Sequence, residues 1–212
     1  MILNVGKMIT TKQMKKLEDK SEHFGVSKKQ LMENAGKGIN NVLKKKFKDL
    51  KRKKILIVCY HGNNGGDGFV AARYLSNKST VEVLFIGNER KLKDEASFNF
   101  NRIINNHKIL FTYGSEDLDF NKYNIIIDAM LGTGTKGKLK EPISSVVDKI
   151  NKSKAYKVAV DIPTGLNPDT GKIIDKAVKA DLIITFHDLK TGLRKLKNKT
   201  VIADIGIPEE AK

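Results

Sequence analysis

The sequence holds a single cysteine, Cys59, among 212 residues. A lone thiol excludes an intramolecular disulfide and a cysteine-rich zinc site, and its place in the run ILIVCY reads as a small buried hydrophobe. Long apolar runs are also missing. Ile55 to Tyr60 and Ile125 to Ile127 are far too short to cross a bilayer, and Met1 to Ile9 lacks the apolar core of a signal peptide. No membrane partner is expected, and the cytosol is the default compartment. No Pro/Gly-rich stretch and no repeat period occurs, which argues against a disordered, fibrous or solenoid protein. Acidic residues are in the minority, 24 Asp and Glu against 40 Lys and Arg, giving a formal net charge of +16. Such an excess first suggests nucleic acid as a partner. The lysines, however, are scattered over almost every predicted helix face, with local runs only at 44–46 and 51–54, and no aromatic residues interleave there as base-stacking platforms. The pattern fits a solvated surface that would draw in a pyrophosphate-bearing small molecule rather than one that binds RNA or DNA.

What is present is globular. Hydrophobic residues make up 40% of the chain against 30% charged, and the length suits one domain over residues 1–212. Thr10 or Thr11 can cap a first helix with Met14 and Leu17 on its apolar stripe and Gly25 at its end. Ser27 and Gln30 form a capping-box pattern ahead of Leu31, Met32, Ala35, Ile39, Val42 and Leu43 at helical spacing. From Lys54 onward seven short β-rich runs follow: KILIVCY, TVEVLFIG, KILFTY, YNIIIDAML, YKVAVDIP, ADLIITFHD and TVIADIGI. They alternate with predicted helices near 67–77, 91–105 and 139–151, and their nearly continuous Val/Ile/Leu content fits strands buried on both faces. The expected fold is a three-layer α/β/α Rossmann-like sandwich with a mainly parallel sheet and an N-terminal helical extension. In such sheets ligands bind beyond the carboxyl ends of the strands.

Three of those strand ends carry unusual chemistry. In HGNNGGDGFVAARYL, four glycines (62, 65, 66 and 68) let the backbone turn and approach a ligand, and a helix opening near Asp67 offers N–H groups to an anion. The Lys and Ser/Thr of a P-loop are absent, so triphosphate hydrolysis is not indicated. Gly66, Gly68 and Ala71 match the loose G-x-G-x-x-A dinucleotide pattern, with Glu89 at roughly the distance of a ribose-binding acid. In DAMLGTGTKGKLKEP, Asp128 ends an apolar strand above a pliable loop containing Lys136, either to hold a ligand or metal or to cap the loop's N–H groups. In VAVDIPTGLNPDTG, Asp161 ends a strand, and Pro163 stiffens the exit that carries Thr164 and Asn167. Asp128, Asp161 and the Asn64 loop together supply hard oxygen ligands suited to an alkali or alkaline-earth cation rather than zinc.

The segments GNNGGDGFVAARYL, DAMLGTGTKG, VDIPTGLN and ADLIITFHDLKTGL, with LMENAG in the second helix, resemble the YjeF N-terminal domain, the NAD(P)H-hydrate epimerase family. The likeness runs from about Thr10 to Asp204. It implies an isomerase acting on NADHX and NADPHX, with substrate contacts at Asn63, Asn64, Gly65, Gly66 and Asp67, at Gly132, Thr133, Gly134, Thr135, Lys136, Gly137 and Lys138, and at Asp161. It implies a potassium ion, K+, held by Asn64, Asp128 and Thr164, with Thr164 standing where the family often has serine. It also implies a homodimer, and a dehydratase supplied by a separate chain. His61 reads as a surface loop residue.

Hydrated NAD(P)H is a carbinolamine at C6. Its epimerisation through a ring iminium needs a group that gives and takes a proton near neutral pH. Asp161 is the first choice, Lys136 would assist or hold a phosphate, and Asp181 is the second choice. Two rival readings are a non-catalytic nucleotide- or RNA-binding module on the same fold and an NAD-dependent dehydrogenase. Retention of Asp128, Asp161 and the asparagine pair disfavours the first, and the lack of room for a substrate domain disfavours the second.

Overall fold

The computed structural model describes residues 8–134 and 137–212. In chain order its elements are β1 (Met8–Ile9), α1 (Thr11–His23), α2 (Lys28–Lys46), β2 (Lys54–Cys59), α3 (Asn63–Leu75), β3 (Thr80–Phe85), α4 (Asp94–Ile104), β4 (Ile109–Tyr113), β5 (Ile125–Ala129), α5 (Ile143–Lys152), β6 (Tyr156–Val160), β7 (Leu182–Phe186), β8 (Leu189–Lys190) and β9 (Thr200–Ala203), with short 3-10 turns between some of them. Each of the seven predicted strand runs supplies a strand of one all-parallel sheet in the order β4-β3-β2-β5-β6-β7-β9. The three helices expected after Lys54 are all present as α3, α4 and α5.

The period-2 alternation of the strands divides the core. Ile55, Ile57 and Cys59 face one side with Ile125 and Ile127, where α2, α3 and α4 bring Ile39, Leu43, Phe69 and Phe100. Leu56, Val58 and Ile126 face the other, covered by Ile143, Val146, Val147 and Ile150 of α5. Burial on both faces explains why these strands read as continuous apolar runs. Cys59 is fully buried, as expected.

The helix starts differ in detail from the sequence expectation. At α1 the full capping box belongs to Thr10 and Gln13, each side chain bonding the other residue's backbone N–H. At α2 Ser27 accepts from the Gln30 N–H, but the Gln30 side chain donates to Asn34 Oδ1, so only half the expected box forms. The larger correction is α3. It begins at Asn63, four residues before the expected start, so the segment read as a glycine loop is the helix's first turn. Two short strands, β1 and β8, were not anticipated. They pair in parallel, Ile9 opposite Lys190, and tie the N-terminal segment to the last third of the chain.

Glycine brings α2 against α3. A Cβ added at Gly36 would fall 2.4 Å from Val70 Cβ and 2.8 Å from the Ala71 nitrogen, a backbone atom that cannot step aside. In an exposed helix Gly→Ala would stabilise by about 1 kcal/mol. Here overpacking, costing about 1–3 kcal/mol, outweighs that gain. Gly36→Ala should therefore lower stability in chemical denaturation, and a rise in stability would show that the two helices have room to separate.

Candidate active site

The strand order places a reversal between β2 and β5. From β2 the chain winds through β3 to β4, and from β5 it winds the other way through β6 and β7 to β9. The crossovers diverge at this point and leave a crevice at the carboxyl ends of β2 and β5. All three chemically unusual segments converge there.

The first cluster is built on Asp128, at the end of β5, and Thr164. Both are fully buried, and Asn64 in the first turn of α3 is nearly so. Asp128 Oδ1 accepts from the Thr164 hydroxyl at 2.7 Å and the Met130 N–H at 3.2 Å, and Oδ2 accepts from the Thr164 N–H at 2.8 Å. Loop capping therefore accounts for part of the carboxylate's bonding, as one of the two sequence readings held. The Thr164 hydroxyl also accepts the Leu131 N–H at 3.0 Å, which draws the loop after β5 over the cluster. Burial pushes the Asp128 carboxyl up to about 6, against the pull of its three hydrogen bonds. Beside this group the Asn64 carboxamide is buried with neither Oδ1 nor Nδ2 hydrogen-bonded. A Cβ on Gly132 would approach Asn64 Oδ1 to 3.2 Å, so the loop backbone passes close above it. Among the described residues it is the one side chain with two such buried polar atoms lacking partners, and water, an ion or a ligand group would satisfy them.

The second cluster surrounds Asp161, at the exit of β6. Its backbone takes the left-handed conformation, φ 60°, which costs a non-glycine residue on the order of 1 kcal/mol or more and persists only where surrounding contacts hold it. The Asp161 N–H donates to Ile184 O at 2.7 Å, and Oδ1 accepts from Thr185 Oγ1 at 3.0 Å and pairs with Lys190 Nζ at 2.9 Å. Lys190, 1% exposed, also donates to Phe186 O at 2.7 Å. Asp67 of α3 and Glu18 of α1 face the same centre. The Asp67 carboxyl lies well above the usual carboxylate range, raised by burial and then by the Asp161 and Glu18 charges. Glu18 is raised by burial first and by Asp161 next, with Lys190 opposing.

The helix start links the two clusters. Gly62 caps α3 without a side-chain bond, so the first N–H groups of the helix point into the crevice unclaimed by a capping side chain. The glycines that follow serve packing more than ligand approach. A Cβ on Gly65 would lie 1.8 Å from Tyr60 O, one on Gly66 would lie 2.5 Å from Met32 Cε, and one on Gly68 would lie 2.7 Å from both Ala129 Cβ and Cys59 Sγ. Gly66, Gly68 and Ala71 thus sit inside the helix rather than in the turn before it. This removes the geometric basis of the dinucleotide fingerprint. Glu89 is exposed, and its carboxylate accepts from Tyr113 Oη at 2.7 Å.

Other sequence candidates fall elsewhere. Asp181 is exposed at the amino end of β7, where Oδ2 accepts from the Lys157 N–H at 2.7 Å. That is the opposite end of the sheet from the crevice, so it joins neither cluster. Thr133 is half-buried, while Gly134, Gly137 and Lys138 are exposed on the loop after β5. Thr135 and Lys136 lie outside the described residues. Asn63 is exposed at the start of α3. His61 is half-buried, with Nδ1 accepting from the Asn88 N–H at 3.3 Å, and burial lowers its pKa. Sequence reasoning missed Lys190 and Glu18. Lys190 is one lysine among many in a basic chain, and nothing local in the sequence marks it as buried. Glu18 stands four residues after Met14 and so shares the apolar face of α1, where a carboxylate is out of place.

Comparison with known proteins agrees with this geometry. The family model described as YjeF-related protein N-terminus matches residues 28–192. The chain is 40% identical over 209 residues to the NAD(P)H-hydrate epimerase of Nitrosopumilus maritimus, covering 96% of this chain and 97% of that protein. It is 44% identical over 205 residues to the bifunctional NAD(P)H-hydrate repair enzyme of Archaeoglobus fulgidus, covering 95% of this chain but spanning only 42% of that relative's length. The crystal structure of yeast ynu0 has the same fold, with a TM-score of 0.80 at 23% identity over 92% of this chain and 87% of that one. The chain belongs to the family of YjeF-related protein N-terminal domains.

Proposed function

We propose that this chain is an NAD(P)H-hydrate epimerase, interconverting the R and S epimers of NADHX and NADPHX. The observation that carries the proposal is the convergence of the α3 start with the ends of β5 and β6, where the Thr164 hydroxyl joins Asp128 to the loop after β5. A helix start without a side-chain cap suits the substrate's pyrophosphate, and a buried, partnerless carboxamide lies beside it. Asp161 stands at the next strand end with residual exposure, 7%. A stand-alone relative named for this activity supports the reading across nearly the whole of both chains. Among the described residues no helix is long and apolar enough to cross a membrane, and we place the enzyme in the cytosol, where its nucleotide substrates are used.

In the proposed reaction the ring-nitrogen lone pair forms C6=N+ as the C6–O bond breaks. The departing hydroxide takes a proton and leaves as water. Water then returns to either face of the iminium and gives up a proton, so atoms and charge balance over the cycle. Asp161 is the group we assign to proton transfer, because its carboxylate is held by side-chain bonds to one oxygen, Oδ1. Asn63, Asn64, Gly65, Gly66 and Asp67 would bound the nucleotide site, and residues 132–138 would close over it, Lys136 among them. Residues 1–212 would act as one domain, the enzyme as a homodimer, and the dehydratase would be another chain.

Asn64, Asp128 and Thr164 would hold a potassium ion. The donor set fits: a carboxamide oxygen lacking a partner, a hydroxyl and one carboxylate carry at most a single negative charge, which suits a weakly hydrated monovalent cation. Such an ion would supply electrostatic anchoring of the loops after β5 and β6.

Two measurements test this reading. Chromatography of the pure R epimer of NADHX should show approach to an R/S mixture at least 100-fold faster with the protein than without it, and faster in potassium than in a potassium-free buffer. A rate equal to the spontaneous one would end the epimerase reading. Asp161→Asn should lower kcat by 100-fold or more, in the range that loss of a general acid–base costs. Asp128→Asn should remove the difference between potassium and choline buffers while leaving the protein folded by circular dichroism. A variant that still responds to potassium would move the ion elsewhere.

A further inference from the structure

Lys190 is the feature for which the fold alone gives no reason. A lysine 1% exposed, with its ammonium at 2.9 Å from Asp161 and 2.7 Å from Phe186 O, costs several kcal/mol of lost hydration. Buried ion pairs seldom stabilise more than a well-packed apolar side chain would, so stability is a weak reason to keep one. The carboxyls around it are three: Asp161 in contact, and Asp67 and Glu18 within electrostatic reach of both Asp161 and Lys190. Asp161 alone pairs directly with the cation, while burial and the neighbouring carboxylates raise the Asp67 and Glu18 carboxyls above their ordinary range.

The three elements that meet here are far apart in sequence. Lys190 lies on β8, Asp67 on α3 and Glu18 on α1. The N-terminal segment is fastened at two further points. Ile9 pairs with Lys190 across β1 and β8, and the Thr11 N–H and hydroxyl donate to the Asp169 carboxylate at 2.8 and 2.7 Å. Asp169 belongs to the segment that leaves Asp161, and its backbone O accepts from Thr191 Oγ1 at 2.9 Å. Lys190 is thus braced from the N-terminal side by residues outside the 28–192 segment that the family model covers.

We propose that Lys190 is a positioning residue for the epimerisation: its buried ammonium, 2.9 Å from Asp161 Oδ1 and anchored on Phe186 O, holds the Asp161 carboxylate in the orientation that proton transfer needs. This rests on the proposed epimerase activity with Asp161 as its proton-transfer group. Removal of the ammonium should leave the Asp161 carboxylate with only the Thr185 hydroxyl to hold Oδ1 in place.

The test is the steady-state kinetics of R-NADHX epimerisation at one pH, with the spontaneous rate subtracted. Lys190→Met should lower kcat at least tenfold, with KM changed less than threefold, and Lys190→Arg should bring kcat back toward wild type. A merely structural role would change expression or melting without separating kcat from KM. If Lys190→Met does not fold, Thr185→Val, which removes the other side-chain bond to Asp161 Oδ1, decides by the same split. An unchanged kcat in the folded variants overturns the proposal while wild-type activity leaves the epimerase reading standing. A wild type no faster than the spontaneous reaction removes both.

Discussion

The structure depends on one topological constraint, the reversal of winding between β2 and β5. Parallel strands need crossovers that return to the same edge, and where successive crossovers leave in opposite directions no helix can cover the carboxyl ends between them. The start of α3 and the loops after β5 and β6 open onto that gap. Asn64, Asp128, Asp161 and Thr164 are brought together for this reason, although the outermost of them are separated by 100 residues.

The crevice contains two buried carboxylates at neighbouring strand ends, and the protein meets their desolvation in different ways. Asp128 receives three hydrogen bonds from nearby backbone and Thr164, yet burial still pushes it up to about 6. No cationic side chain pairs with it among the described residues. Asp161 has an internal counter-charge in Lys190. In the proposed function one strand end therefore serves a diffusible cation, while the other keeps a charge fixed in place for proton transfer.

Much of this was legible in the sequence. The seven strands followed from apolar runs buried on both faces, and Asp128 and Asp161 stood out because an acid ending such a run has no packing role. The limits had physical causes. The GNNGGDG segment reads as a loop because glycine is a poor helix former, yet Gly65, Gly66 and Gly68 are in a helix that must pass within contact distance of Tyr60 O, Met32 and Ala129. Tertiary packing overrode propensity there. Asp181 looked equivalent to Asp161 because sequence marks a strand's edge without saying which end of the sheet that edge occupies. Lys190 was hidden by composition, since burial of one lysine among so many leaves no local mark.

The N-terminal extension lies largely outside the matched family segment and is nevertheless tied to the second cluster. α1 and β1 contribute little to the central sheet, and their bonds run instead to Asp169 and Lys190. An element added only to cover apolar surface would present an apolar face throughout. The inward face of α1 carries Met14, Leu17 and Ser21 around Glu18, a carboxyl whose burial and whose repulsion from Asp161 both raise its proton affinity. Packing alone does not explain a carboxyl in that position, since burial and the Asp161 charge both work against its ionisation.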